Sequence, residues 1–203
     1  MTNDFDYYLI RSTYPNNVPL LKVDDEHDAA GVSFLSWYKT VSPDYTAHIA
    51  FGTPIPSKPR LSDAMSLDGT CNVFSKKIYD VLNQHTITGL QLVPTIIRGK
   101  KEEKFDNYWI ANIYQKMAFF DEEKSEYGRI SKITGAWKDI KKIVLDKEKL
   151  ASVPLEDRLV FVSKENCSFV LYHKSVVDII MSANPEGVCF TPVEEWYEGQ
   201  QFD

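Results

Sequence analysis

"VFSKKIYDVLNQHTITGLQLVP" (Val73–Pro94) and "LYHKSVVDIIMSANPEGVCFTP" (Leu171–Pro192) align without a gap at an offset of 98 residues. Lys76, Asp80, Gly89 and Pro94 meet Lys174, Asp178, Gly187 and Pro192 as identities. In the first stretch Phe74, Ile78, Val81 and Leu82 recur at i, i+4, i+7 and i+8, which is one face of an α-helix. Tyr172, Val176, Ile179 and Ile180 repeat that face in the second. Ser75 stands where an N-cap belongs, although no Glu or Gln three positions on completes a capping box. Gly89 and Gly187 follow, each able to take a positive φ and turn the chain into a short apolar strand. Proline then closes both strands, which places them at a sheet edge or a sheet end.

A helix that covers the strand it feeds needs a sheet to pack on. The expected fold is α+β, a mostly antiparallel or mixed sheet with helices packed on one side, containing two similar helix-turn-strand units. Four identities in 22 positions leave open whether the units arose by duplication.

Outward from this pair, "DYYLIRS" near Tyr7, "GVSFLSWYK" near Phe34 and "YTAHIAF" at Tyr45–Phe51 have the aromatic and β-branched content of strands. The acidic "DDEHD" (Asp24–Asp28) lies between the first two as a solvated loop. "GTPIPSKPR" carries Pro54, Pro56 and Pro59, which rule out a helix and deny a strand its backbone donors. It divides residues 1–70, a β-rich region, from residues 71–203, an αβ core packed with that region as one compact unit. "RGKKEEK" (Arg98–Lys104) is a charged turn, so "LQLVPTII" and "NYWIANIY" form a β-hairpin. "FFDEEKSEYGRI" predicts a short helix from Asp121. "KKIVLDKEKL" and "DRLVFVSKE" predict strands around Val144 and Val160.

With 203 residues, 43% of them apolar, the chain can bury a core without staples. Cys71, Cys167 and Cys189 are odd in number and show no CxxC spacing, which argues for a reducing cytoplasm and against a disulfide framework or a zinc site. The N-terminus has no signal-like pattern, and no apolar run reaches the 18 to 20 or so residues that span a bilayer. No membrane association is expected. The net charge is −6. Residues 1–70 hold five basic against nine acidic side chains, residues 71–140 eleven against nine, and residues 141–203 seven against eleven. Acidic ends argue against a nucleic-acid partner and suit a basic protein.

No catalytic, cofactor or metal motif emerges. His27, His48, His85 and His173 lie far apart, without HxxxH or HExxH spacing. Phosphate-cradling glycine loops and a GxSxG elbow are missing. Cys71 with His85 reads as a buried small residue and a surface imidazole sooner than a nucleophile and its base. The carboxylates at Asp121–Glu123 and Glu194–Glu195 sit in polar contexts that leave their pKa values together. Trp37, Trp109 and Trp137 read as core residues. Trp196 and Tyr197, flanked by Glu194, Glu195 and Glu198, have the composition of an interface hot spot with an acidic rim, or of a tail packed on its own domain.

Taken in order, the paired helix-turn-strand stretches, "YWIANIYQKMAFFDEEKSEY", "KKIVLDKEKL", "LVFVSKE" and the closing "GVCFTPVEEW" resemble family eleven of the bacterial polymorphic-toxin immunity proteins, formerly a domain of unknown function. The resemblance spans about Val73–Trp196, and residues 1–70 fall largely outside it. Its most specific parts are Asp121, Glu123, Lys124 and Ser125 after the hairpin, and Gly187, Phe190 and Pro192 at the close. Leu92 stands where phenylalanine would sit in the first copy, and "MAFF" replaces a branched-acidic run. The resemblance implies a cytoplasmic, non-enzymatic antidote that occludes a cognate toxin encoded by a neighbouring gene, with no catalytic residue to carry over. On that basis Asp24, Asp25, Glu26, Glu194, Glu195, Trp196, Tyr197 and Glu198 are the candidate toxin-binding residues. A small enzyme with a site assembled from distant residues, or a general adaptor module, is the alternative.

Overall fold

The computed structural model describes residues 3–13, 17–28, 39–67 and 70–199. The strand expected around Phe34, with Trp37, lies outside the described residues, as does the Cys71 side chain. In chain order the strands are β1 (Tyr7–Ser12), β2 (Leu21–Val23), β3 (Ala47–Phe51), β4 (Ala64–Leu67), β5 (Thr70–Ser75), β6 (Leu90–Arg98), β7 (Lys104–Ile113), β8 (Lys116–Met117), β9 (Glu126–Ile130), β10 (Trp137–Lys142), β11 (Val160–Ser163), β12 (Val170–His173) and β13 (Val188–Pro192). The helices are α1 (Lys76–Leu82), α2 (Lys147–Ala151) and α3 (Lys174–Ser182). The fold is α+β with mixed sheets.

β2, β3, β6, β7, β5 and β4 close a six-stranded barrel in that order. β3 and β6 run parallel, Ala47 opposite Thr95 through Ala50 opposite Arg98, while β6 and β7 form the antiparallel hairpin expected across the Arg98–Lys104 turn. The pleat sends alternate residues inward and outward. Val73 and Ile110 fill the barrel with Ile49, Met65, Val93 and Ile97, and their neighbours Phe74 and Ala111 face out of it.

The second sheet has the order β13-β1-β12-β11-β8. Val160, Val162, Val170 and Tyr172 cover one face, and Tyr7, Leu9, Phe161 and Leu171 cover the other. Both faces are buried, which is why "LVFVS" is an uninterrupted apolar run with no polar alternation. α1 and α3 pack between barrel and sheet. Ile78, Leu82, Val176 and Ile180 share a core with Phe74 from the barrel and Val160 and Tyr172 from the sheet. Each such side chain stabilises the fold by roughly 1.5–3 kcal/mol relative to exposure. The apolar face read from the sequence is the buried one, with Val81 and Ile179 at its half-buried margin in both helices.

Gly89 and Gly187 have φ of 91° and 77°. A Cβ on Gly89 would lie 2.2 Å from the Val160 carbonyl oxygen, and one on Gly187 1.9 Å from Ser62 Oγ. Lys76 and Lys174 each bind the aspartate four residues on, Asp80 and Asp178. These are exposed i,i+4 pairs of modest worth. Ser75 holds the N-cap backbone conformation of α1, but its hydroxyl donates to Asp63 Oδ1 at 2.6 Å and caps no backbone N–H.

Four local expectations are corrected. No helix starts at Asp121: its carboxylate accepts from the N–H groups of Glu123 and Lys124, making a side-chain-stabilised turn before β9. Val144 is not in a strand; β10 ends at Lys142, the Val144 carbonyl accepts from Asp121 N–H, and α2 begins at Lys147. Pro94 does not close a strand at an edge. It lies inside β6, one residue before pairing with β3 begins, where its missing donor leaves no β3 acceptor unpaired. The helices do not all share one side, because Leu150 of α2 packs on the face of the sheet opposite α1 and α3.

Candidate functional site

The candidate residues fall into two groups. Asp24, Asp25 and Glu26 follow β2 at the barrel; Glu194 to Glu198 follow β13 in the layer beyond the second sheet. The structure places them in separate layers and does not bring them together.

Asp24 is 7% exposed and is held by its neighbours. Its Oδ2 lies 2.9 Å from Arg98 Nε and 3.0 Å from His27 Nδ1, and its Oδ1 accepts from Glu26 N–H at 3.3 Å. Burial works against charge on Asp24, but the His27 hydrogen bond and charge, the Glu26 N–H and the Arg98 guanidinium outweigh it and hold the carboxyl below its usual range. Asp28, also buried, accepts from the Tyr45 hydroxyl and the His48 N–H, both at 2.7 Å. The acidic loop is therefore organised from within by two of its carboxylates. Of its four carboxylates, Asp25 and Glu26 are the exposed ones.

Beside them opens a recess of about 340 Å³, with Val23, Phe51 and Ile55 on its apolar lining and Lys22, Asp25, Glu26 and Arg98 among its polar residues. Its lining thus mixes apolar and charged side chains. Arg98 was not singled out from the sequence. It joins Asp24 only because β6 runs beside β3, and nothing in the local sequence signals a contact across 74 positions.

At the C-terminal end Trp196 is 6% exposed and meets Phe169 edge to face, ring centroids 4.9 Å apart. It belongs to the core beneath the tail and is not available on the surface. Tyr197 is 56% exposed and bridges to Lys142, while Glu198 N–H donates to the Lys141 carbonyl at 3.1 Å. Glu194, Glu195 and Glu198 are exposed, and Glu194 lies 3.2 Å from Lys147 Nζ. The free face of the tail is thus three glutamates around one tyrosine.

Among the described residues no group of His, Cys, Asp and Glu is placed to hold a metal ion. His27 stacks on His48 with centroids 6.4 Å apart, His85 is exposed, and His173 is buried at the start of α3. No helix among the described residues is long and apolar enough to cross a membrane.

Residues 17–195 match the model of the Immunity protein family (Imm11), and the chain belongs to that family. The match begins well before Val73, so residues 17–70, expected to fall largely outside the family, lie within it: β2 and β3 complete the barrel that β4 to β7 leave open. No curated protein matches the chain.

Proposed function

We propose that this member of an immunity protein family is a cytoplasmic, non-enzymatic antidote that binds one cognate antibacterial toxin and blocks its active site. The observation that carries the reading is the family match over residues 17–195. The toxin is the product of an adjacent gene, and the two similar helix-turn-strand units serve as scaffold for the surfaces that meet it. Residues 1–70 and 71–203 act as one unit in this role.

An antidote must capture a few delivered molecules quickly, which favours charge-steered association. Asp25 and Glu26 at the recess, and Glu194, Glu195, Tyr197 and Glu198 on the tail, are the exposed members of the candidate set. Asp24 and Trp196 support them from beneath. The test is co-expression with the product of the adjacent reading frame in a sensitive cell. Growth rescue with a one-to-one complex on size exclusion is the expected result. Rescue at strongly substoichiometric dose without a complex would replace occlusion by catalysis.

A further inference from the structure

β9 and β10 form a two-stranded ribbon joined by the turn Ser131–Ala136, and its outer end presents Ile133, 95% exposed. The turn is tightly made. Ser131 N–H donates to the Ala136 carbonyl and Gly135 N–H to the Ser131 carbonyl, both at 2.8 Å, and Thr134 N–H reaches Ser131 Oγ at 3.2 Å. The base is anchored: Trp137 is 5% exposed, donates its N–H to the Glu165 carbonyl at 2.6 Å and packs against Tyr127 at 4.2 Å. A fixed ribbon therefore holds a branched apolar side chain out in water. Ile130, 37% exposed, lies three positions before Ile133 at the end of β9.

The charge of the ribbon is opposite to that of the protein. Residues 126–142 hold five basic and two acidic side chains, against a net charge of −6 for the chain. Arg129 and Lys138 stand opposite one another across the two strands, an arrangement of like charges that destabilises a ribbon. Among the described residues, Arg129, Lys132 and Lys138 make no ion pair, whereas Lys76, Lys124, Lys149 and Lys174 each pair with an aspartate three or four residues away. The opposed cations weaken the free ribbon slightly and the exposed isoleucine gains nothing from folding, and one kind of occupant satisfies both.

We infer that the β9–β10 turn is an insertion element, with Ile133 entering an apolar recess in a protein partner whose rim carries carboxylates facing Arg129, Lys132 and Lys138. This rests on the immunity reading and deepens it: the partner is the toxin, and the cleft is lined with acidic residues. A preformed turn loses little freedom on docking, and the cations steer its approach. A nucleic acid fits the cations but leaves Ile133 without a complement, and the acidic remainder of the chain opposes it.

The experiment measures binding of the purified full chain to the inactivated product of the adjacent reading frame. Ile133→Asp is expected to raise the dissociation constant at least tenfold with an unchanged melting temperature, while Ile133→Leu binds like wild type. The pair Lys132→Glu, Lys138→Glu is expected to slow association and flatten its salt dependence. If wild type binds and Ile133→Asp binds within twofold of it, the insertion element is overturned and the immunity reading stands. If wild type neither binds nor protects, both fall. Retention of the chain on duplex DNA that Lys132→Glu abolishes would assign the cations to phosphate and overturn the proposal as well.

Discussion

Tyr7 and Arg158, 151 positions apart, are bonded twice: the tyrosine hydroxyl donates to the Arg158 carbonyl at 3.0 Å and accepts from the Arg158 guanidinium at 2.6 Å. The same guanidinium donates to the carbonyls of Val153 and Asp4. Arg158 is 3% exposed, makes no salt bridge among the described residues, and holds β1 by these hydrogen bonds together with its guanidinium over the Phe5 and Tyr7 rings, 5.6 and 6.0 Å from their centroids. Removing it takes a donor from the buried Tyr7 hydroxyl and from the part-buried carbonyls of Val153 and Asp4. Arg158→Met is expected to cost about 2–4 kcal/mol in urea unfolding and Tyr7→Phe about 1 kcal/mol. Equal stability of Arg158→Met and wild type would show that the pairing of β1 with β12 and β13 and its packing suffice without Arg158.

Gly89 and Gly135 separate two costs that glycine hides. Both have positive φ, but a Cβ at Gly89 collides with the Val160 carbonyl at 2.2 Å and one at Gly135 meets nothing within 4 Å. Gly135→Ala should cost about 1 kcal/mol, the backbone term alone. Gly89→Ala should cost at least about 3 kcal/mol, because the β6 entry must also move away from β11. Thermal melts of the two variants side by side decide it; similar shifts would mean that the Gly89 turn relaxes freely.

His173 is expected to make the stability of the protein sensitive to mild acid. Burial holds its pKa below the usual value and nearby Arg158 adds to this, while the Asn3 carbonyl, Asp4 and Asp6 pull the other way. Its Nδ1 accepts from Ser175 N–H at the start of α3, which requires the neutral ring. A depressed histidine pKa means that the unfolded chain binds more protons below about pH 6.5. The His173 contribution is therefore complete above that pH and is lost as pH falls toward the folded value. Stability measured from pH 7.5 to 5 should decline, and His173→Gln should flatten the slope. An unchanged slope would assign the decline to other groups.

The tail separates support from contact. Trp196→Ala should destabilise by about 3–5 kcal/mol as a core truncation. Tyr197→Ala should leave the melting temperature within a degree or two and weaken toxin binding. Reversing Glu194, Glu195 and Glu198 to lysine should slow association and reduce its salt dependence with the fold intact. Unchanged affinity and salt response would remove this rim and leave the recess or the β9–β10 turn as the docking surface.

The loop at Asp24 divides in the same way. Asp24→Asn should lower stability, because Arg98 and His27 lose their carboxylate; Asp25→Asn and Glu26→Gln should not. Asp24 is held below its usual pKa, so its contribution is present above about pH 4 and is lost as pH falls further. A stability cost for Glu26→Gln as large as that for Asp24→Asn would contradict the exposure of Glu26.

Local pattern was enough wherever an element's apolar residues recur with its period or run without a break. The faces of α1 and α3, the β6–β7 hairpin, β1 and β3 were legible because side chains spaced at 3.6 or 2 residues share a face, and β11 because a strand buried on both faces is an unbroken apolar run. A nearby signal for α2 was also present, Asp146 as N-cap with its carboxylate on Lys149 N–H, and the apolar "IVL" before it masked that signal. At Asp121 the composition favoured a helix, and the aspartate's own hydrogen bonds to the backbone ended it.

Sequence by itself determined the helix faces, the glycine turns, the α+β class and the acidic balance, because each follows from spacing or composition along the chain. Tertiary structure decided what those parts close upon. Pairing of Ala47–Ala50 with Thr95–Arg98 makes the barrel and brings Arg98 to Asp24; the tail folding back on β10 puts Trp196 in the core and leaves Tyr197 outside. These are contacts between residues tens of positions apart, fixed by which surfaces exclude water together, and no local pattern records them.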